Sequence, residues 1–199
     1  MKADKKKHWE ILNSEIVFNN IWYKVRKDTV QLPSGTIIKD YYVSELKDVV
    51  SVFALTKEQK VIFVKQYRHG VKKVLLELPA GTYKKGETPK EVAEHELREE
   101  TGYKTDKLIS LGTIFDYPTK NSHRINLFLA KGAVYQGKPR PEKTEDIEVV
   151  LLPMKDLLRL IKKGEISVSG TIVCILRALI YLKAAPFNTY PPNHKRSRF

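Results

Sequence analysis

Runs of β-branched and aromatic residues dominate the first third of the chain and predict two pairs of strands. The first pair is joined by Pro33-Ser34-Gly35, a combination typical of a hairpin turn. The second pair turns at Lys57–Lys60. A further short strand then leads into Pro79. The predicted strands are Ile21–Leu32, Thr36–Val43, Val49–Thr56, Val61–Tyr67 and Val74–Leu78.

The spacing then changes from the period of a strand to that of a helix. Thr88 is a good N-cap, Pro89 suits the first helical position, and Glu91 completes a capping box with Thr88. Val92, Ala93 and Leu97 would form the apolar side, and Gly102 suits the left-handed position just past the helix end. The sequence therefore predicts a helix between Thr88 and Gly102.

Strands and helices alternate over the rest of the chain. Pro153 precedes a helix around Lys155–Lys163, which Gly164 ends. The predicted strands are Leu108–Phe115, Ile125–Ala130 and Ile147–Leu152, and the last helix is Thr171–Ala185. This order predicts an α/β sandwich with a mixed sheet, preceded by an N-terminal antiparallel β-hairpin region.

Three carboxylates crowd one turn and a half of the helix after Thr88. Glu96, Glu99 and Glu100 are three and four positions apart, so they share a face and repel one another. Hard divalent cations prefer carboxylate oxygens and would offset that repulsion. The sequence favours a metal site for phosphate chemistry here, and the alternative is a solvated acidic helix with ordinary pairs such as Glu94 with Arg98.

Length and composition indicate one catalytic domain. The 199 residues can bury a substantial core, and the single cysteine, Cys174, lies in an apolar run and is expected to be buried. No disulfide framework is possible within the chain, the basic N-terminus lacks an apolar signal region, and no apolar run could span a bilayer. We therefore expect a cytoplasmic protein that does not act at a membrane.

The charge balance is strongly basic. With 36 Lys and Arg against 23 Asp and Glu, the formal net charge is +13, which can attract nucleic acid. The lysines are dispersed, and clusters occur chiefly at the ends, in Lys5–Lys7 and His194–Arg198. No nucleic-acid-binding motif is present, so nucleic acid is not an expected partner. We expect a mobile basic lead-in (1–10), an N-terminal β region that contributes to a dimer contact (11–46), a catalytic domain (47–185) and a basic C-terminal tail (186–199).

Residues 81–103, GTYKKGETPKEVAEHELREETGY, resemble the Nudix box, G-x5-E-x7-R-E-U-x-E-E-x-G-U with U apolar. The pattern is met by Gly81, Glu87, Glu96, Leu97, Glu99, Glu100, Gly102 and Tyr103. One position departs, because His95 stands where the family has arginine. In the family that arginine is thought to hold a catalytic glutamate, and a histidine is shorter and only partly charged near neutral pH. The departure puts the catalytic rate in question more than the fold.

The flanks of the box are similar to the ADP-ribose pyrophosphatase branch of that family. The strand KQYRHG runs into ELPAG just before the box, Pro118 lies 16 residues beyond Gly102, and EDIEVVLLPMKDLLRLIKKGEI precedes an apolar helix. The resemblance covers roughly residues 42–182. It implies a metal-dependent hydrolase, with Mg²⁺ or Mn²⁺, that splits ADP-ribose or a similar nucleoside diphosphate sugar into AMP and ribose 5-phosphate. Members of the branch are usually homodimers, so a homodimer is expected.

The resemblance also implies roles for individual residues. Glu96 and Glu100 would be the main metal ligands, joined by the Ala80 carbonyl and by Glu99, which alternatively positions water. Arg68 would contact the pyrophosphate, with Gly81 and Pro118 at the substrate. Glu87, His95 and Gly102 would shape the box, and Glu145 would complete the site. The general base is left open among Glu99, Glu100, Glu145 and Glu142, because Lys143 occupies a position that is usually acidic.

Two other functions stay open. The same chemistry could act on another nucleotide sugar or a dinucleotide, because the box does not specify base or sugar. A catalytically weak module that binds ADP-ribose or RNA is the third possibility, motivated by His95 and the charge. The aromatic residues of the first hairpin either stack on adenine or belong to a core or dimer interface; they are Trp22, Tyr23, Tyr41 and Tyr42.

Overall fold

The computed structural model describes residues 8–84, 86–142 and 144–184. Most of the predicted lead-in, residues 1–7, and the whole predicted tail lie outside this range. The strands are β1 Glu10–Asn19, β2 Lys24–Gln31, β3 Ile37–Ser44, β4 Val49–Thr56, β5 Lys60–Arg68, β6 Lys73–Glu77, β7 Ala80–Thr82, β8 Tyr103–Lys104, β9 Lys107–Ile114, β10 Ile125–Tyr135 and β11 Ile147–Pro153. The helices are α1 Pro89–Thr101, α2 Leu157–Lys162, which follows a 3-10 turn, and α3 Ser169–Ala184.

Strands β4 to β11 form one mixed sheet at the centre of the molecule. Its main path runs β11-β5-β4-β10-β8, with β6 beside β5, β7 beside β4 and β9 beside β10. Strands β4 and β10 are parallel, and the other pairs are antiparallel. The predicted mixed sheet is confirmed.

Alternate residues of the central strands enter two separate cores. In β4, Phe53 and Leu55 belong to one cluster, whereas Val52 and Ala54 belong to the other. Because successive side chains of a strand point to opposite faces, this division requires cover on both faces. Helix α1 supplies it on one face, and α2 and α3 supply it on the other. The predicted α/β/α sandwich is therefore confirmed.

Most predicted elements occur within two residues of their predicted ends. Strands β2 and β10 are exceptions, because β2 begins at Lys24, three residues after its predicted start, and β10 continues past Ala130 to Tyr135. The predicted strands include none at Glu10–Asn19 and none at Ala80–Thr82, and the structure places β1 and β7 there. Cys174, a residue of α3, is fully buried in the core, as expected.

The first three strands form a separate antiparallel sheet ordered β1-β2-β3. The sheet is joined to the rest of the molecule through the loop after β9. Ser44 N donates to Lys120 O at 2.7 Å, Tyr41 donates its hydroxyl to Thr119 O, and Lys120 lies over the Tyr41 ring. Strand β1 is exposed along its whole length.

Among residues 8–84, 86–142 and 144–184, no helix has the length and apolar character that crossing a bilayer requires.

Candidate active site

Helix α1 places the three box glutamates, and its ends match the sequence prediction. Thr88 accepts a hydrogen bond from Glu91 N, and the Glu91 side chain accepts one from Thr88 N, which completes the capping box. Gly102 ends the helix with φ +75°, and a Cβ there would collide with the carbonyl of Gly137. Glycine is therefore required both by the left-handed backbone and by this close approach.

A cavity of about 410 Å³ lies between α1, β7 and the start of α3. Seven of the predicted site residues line it, and most of the remaining wall comes from the sheet and from α3. The predicted residues in the wall are Arg68, Ala80, Gly81, Glu96, Glu99, Glu142 and Glu145. The cavity therefore brings together acidic groups from α1 and from the loop after β10.

Glu96 projects from α1 onto the backbone of β7. A Cβ added at Gly81 would overlap the Glu96 carboxylate, so only glycine leaves room for it. Burial, together with the carboxylates of Glu145 and Glu99, raises the pKa of Glu96 to about 7. The ionised form of Glu96 is thus disfavoured unless a bound cation offsets the burial and the charge of the neighbouring carboxylates.

Glu100 lies deeper than Glu96, with only 3 % of its surface exposed. Its Oε2 accepts a hydrogen bond from Ala80 N at 3.0 Å, which fixes the carboxylate against β7. Burial raises the pKa of Glu100 to about 8, although the Ala80 N–H partly opposes this effect. A carboxylate this deeply buried carries a large free-energy cost when ionised.

The donor set fits a hard divalent cation in its chemistry. Glu96, Glu99 and Glu100 offer only carboxylate oxygens, and burial, with a smaller contribution from neighbouring carboxylates, raises the pKa values of Glu96 and Glu100, a cost of ionisation that a bound cation would offset. As these side chains stand, no three His, Cys, Asp or Glu groups in the described parts of the chain converge closely enough to hold an ion. The residues therefore supply suitable ligands without forming a closed metal cage.

Arg68, the last residue of β5, lines the cavity. Its Nε and Nη2 donate to the two carboxylate oxygens of Glu77 at 2.9 and 2.6 Å. Glu77 is buried, and the guanidinium is partly exposed. The predicted contact of Arg68 with pyrophosphate remains a prediction, and Glu77 is the residue that orients this arginine. The motif ELPAG contains Glu77, but nothing in its spacing indicated the pairing.

The first residues of α3 also line the cavity, which the sequence did not indicate. Ser169, Gly170 and Thr171 open the helix and lie in the cavity wall. Ser169 Oγ donates to Asp116 Oδ1 at 3.3 Å, and Thr171 Oγ1 accepts from Leu78 N at 3.2 Å. The positive end of a helix macrodipole at this position favours an anionic group in the cavity.

Glu87 and His95 contact each other outside the cavity wall. His95 Nδ1 lies 3.1 Å from Glu87 Oε1, and Glu87 Oε2 accepts a hydrogen bond from Lys84 N at 2.8 Å. The backbone N–H of Lys84, with a smaller contribution from His95, lowers the pKa of Glu87. The hydrogen-bonding partner of His95 is thus the glutamate that holds the box loop.

The loop after β10 brings two further glutamates to the cavity. Glu142 N donates to Glu145 Oε2 at 2.9 Å, and Lys84 Nζ lies 3.9 Å from Glu142 Oε1. Glu145 contributes to the raised pKa values of both Glu96 and Glu100. Pro118 has a different position, on an exposed turn that is not part of the cavity wall; Asp116, two residues earlier, lies in the wall instead. A substrate contact at Pro118 remains a prediction.

Two family models match consecutive parts of the chain. Residues 45–169 match the Nudix domain, and residues 9–44 match the nucleoside diphosphate sugar hydrolase N-terminal domain. A solved structure described as an ADP compounds hydrolase superposes with a TM-score of 0.81 at 19% sequence identity, covering 90% of this chain and 96% of that one. That likeness supports the fold.

Curated relatives align over most of their lengths. The ADP-ribose pyrophosphatase of Bacillus subtilis (strain 168) is 32% identical, over 81% of this chain and 87% of its own. The methanol dehydrogenase activator of Bacillus methanolicus is 32% identical over 82% and 89%, and the ADP-sugar pyrophosphatase of Mus musculus is 30% identical over 89% and 90%. The chain belongs to the Nudix hydrolase family, with a nucleoside diphosphate sugar hydrolase N-terminal domain ahead of its Nudix domain.

Proposed function

We propose that this protein hydrolyses the pyrophosphate bond of ADP-ribose or a similar nucleoside diphosphate sugar, giving AMP and ribose 5-phosphate when ADP-ribose is the substrate. The observation that carries the proposal is the cavity itself. Glu96 and Glu99 of α1 line it and Glu100 lies buried against β7, and Arg68 and the N-terminus of α3 are also part of its wall. The names of several relatives support the substrate class, although one relative of equal identity is described as an activator.

Nudix hydrolases generally need a divalent metal ion, and we propose Mg²⁺ or Mn²⁺ for this one. Glu96, Glu99 and Glu100 would hold it, with the Ala80 carbonyl as a further oxygen ligand. When bound, such an ion neutralises charge that develops on the phosphate oxygens and lowers the pKa of water. Its presence would also remove the cost of ionising Glu96 and Glu100.

The side chains of the protein account for the remaining steps. Arg68 and the N-terminus of α3 bind and orient the diphosphate, because a guanidinium fork and a helix N-terminus both bind phosphate oxygens. A glutamate of the cavity accepts a proton from a water molecule while the oxygen of that water forms a bond to one phosphorus. The bond from that phosphorus to the bridging oxygen breaks, and two phosphate monoesters leave. Glu99, Glu100, Glu142 and Glu145 are the candidates for this base.

A homodimer is part of the proposal. Strand β1 and the turn after it expose large apolar side chains on the N-terminal sheet, among them Ile11, Phe18, Ile21 and Trp22. Contiguous apolar surface of this kind marks interaction sites, and β1 is also an edge strand with unpaired backbone groups. We propose that residues 11–46 form the contact between two copies. Trp22 is 74% exposed, so it is available either to that contact or to a nucleobase.

The test is a panel of nucleoside diphosphate sugars and dinucleotides incubated with the protein and Mg²⁺. Release of AMP from ADP-ribose, abolished in Glu100→Gln, supports the proposal. Turnover of other compounds in place of ADP-ribose would move the assignment to another nucleotide substrate. Tight binding without turnover of any compound would overturn the hydrolase proposal and leave a binding module.

A further inference from the structure

A second cavity, of about 500 Å³, opens beyond the C-terminal half of α1. It is lined by Arg98, Glu99, Gly102, Gln136, Gly137, Lys138 and Arg140, and we call it the loop cavity. The known chemistry of the Nudix box does not use it. It shares one residue with the catalytic cavity, because Glu99 lines both.

The walls of the loop cavity are held together by the backbone. Arg140 N donates to Glu99 O at 2.7 Å, and Gln136 N donates to Gly102 O at 2.8 Å. The carbonyl of Gly137 approaches Gly102 so closely that a side chain at Gly102 would collide with it. The loop that follows β10 is thus fastened along α1, and the space between them is a defined feature of the fold.

Three cations line this space. Arg98, Lys138 and Arg140 have no acidic partner within 4 Å among the described residues. The spacing of α1 would allow Arg98 to pair with Glu94, but Glu94 pairs with Lys90 at 3.7 Å instead. One carboxylate, Glu99, faces the three cations, so the charge of the cavity wall is positive.

The two neighbouring cavities therefore differ in sign. The catalytic cavity is lined by Glu77, Glu96, Glu99, Asp116, Glu142 and Glu145 against Arg68 and Lys84. Without a divalent cation it repels anions, whereas the loop cavity attracts them. Two guanidinium groups are suited to the oxygens of a phosphate group, which accepts paired N–H donors. The C-terminal end of α1 opposes an anion here, but one helix end carries only about half a unit charge against three full cations.

We propose that the loop cavity is a second anion site, which binds a phosphate group, either as inorganic phosphate or as a phosphomonoester. Arg98 and Arg140 donate to its oxygens, and Lys138 adds charge. A ligand bound there contacts the segment that leads to Glu142 and Glu145, and it lies on the far side of Glu99 from the reaction. The proposal does not depend on which substrate the enzyme hydrolyses, because phosphate binding in the loop cavity can be measured without any turnover.

The test is a titration of the full chain, freed of metal with EDTA, with inorganic phosphate and separately with ribose 5-phosphate at constant ionic strength. Amide NMR signals of Gly102 and Gly137 report the loop cavity, and that of Gly81 reports the catalytic cavity. We expect saturable shifts at Gly102 and Gly137 and little change at Gly81. The ligand that binds more tightly identifies the source of the phosphate group.

The variant R98Q/R140Q should weaken this binding at least tenfold. The matched control K162Q/K163Q removes the same charge from α2, on the opposite layer, and should bind within twofold of the wild type. If R98Q/R140Q fails to fold, K138Q replaces it, with an expected loss of twofold to fivefold. Absence of saturable shifts for both ligands, or equal weakening in the α2 control, would overturn the proposal.

Discussion

Replacing Glu100 by glutamine should stabilise the metal-free protein at alkaline pH while it destroys activity. The buried carboxylate of Glu100 has a pKa of about 8 in the folded state, against an ordinary value of 4.5. Glutamine has nearly the same shape, carries no charge, and its oxygen can still accept the hydrogen bond from Ala80 N. The variant therefore removes the cost of ionisation and keeps the contact.

The sign follows from proton linkage. Between pH 4.5 and pH 8 the unfolded chain releases the Glu100 proton while the folded chain retains it. The free energy of unfolding of the wild type therefore falls as pH rises through this window. At about 1.4 kcal/mol for each pH unit, a pKa raised from 4.5 to about 8 corresponds to about 5 kcal/mol by pH 8. The variant lacks this titration, so its advantage should grow from near zero at pH 5 to several kcal/mol at pH 8.

The measurement is urea unfolding of both proteins at several values between pH 5 and pH 9, in EDTA and again in Mg²⁺. Groups that do not interact with Glu100 titrate alike in both proteins, so the difference between the two curves reports the ionisation of Glu100 together with its coupling to Glu96. With Mg²⁺ at about 100 times its dissociation constant, the wild type should gain about 2.7 kcal/mol, and the variant less. Parallel pH curves for the two proteins, or a variant less stable than the wild type at pH 8, would refute the reasoning.

Three further substitutions test other parts of the site. His95→Arg should raise kcat severalfold with an unchanged unfolding midpoint, because a permanent charge strengthens the contact with the loop glutamate; an unchanged or lower kcat would show that the account of this position is mistaken. Arg68→Lys should raise KM for the substrate about tenfold, since the ammonium keeps the charge but loses the paired donors; steady-state kinetics would contradict this if KM stayed within twofold. Gly81→Ala should lower kcat at least tenfold by displacing the Glu96 carboxylate, whereas Gly70→Ala, where no atom lies within 4 Å of the new Cβ, should leave kcat unchanged.

The parts of the fold that could be predicted from the sequence are those whose signals are local. Thr88, Pro89, Glu91 and Gly102 define both ends of α1 by their own side chains or backbone preferences, and the structure has each of them in the predicted place. The buried strands β4 and β5 can be predicted because each contains a largely apolar run. The three box glutamates follow once α1 is placed, because their spacing fixes their common face.

The parts that could not be predicted depend on distant pairing. Strand β1 is exposed throughout, so no burial pattern marks it, and only its pairing with β2 defines it. Arg68 and Glu77 are not cross-strand neighbours, because β5 and β6 place Arg68 opposite Lys73 and Glu77 opposite Val64, so neither sequence spacing nor strand register predicts their ion pair. Ser169 lies in the cavity wall because of the way α3 packs across the sheet, and no local sequence motif predicts that packing.

The parallel pairing of β4 with β10 has a consequence for how the protein acquires activity. Ile125 pairs with Val49, and β7, α1 and the whole Nudix box lie between them in the chain. A parallel pair needs such a long crossover, and contacts between distant residues slow the folding of a domain. Helix α1 can form early because its caps are local, but the cavity is complete only after β4 has paired with β10. Refolding should therefore restore helical signal well before it restores catalysis.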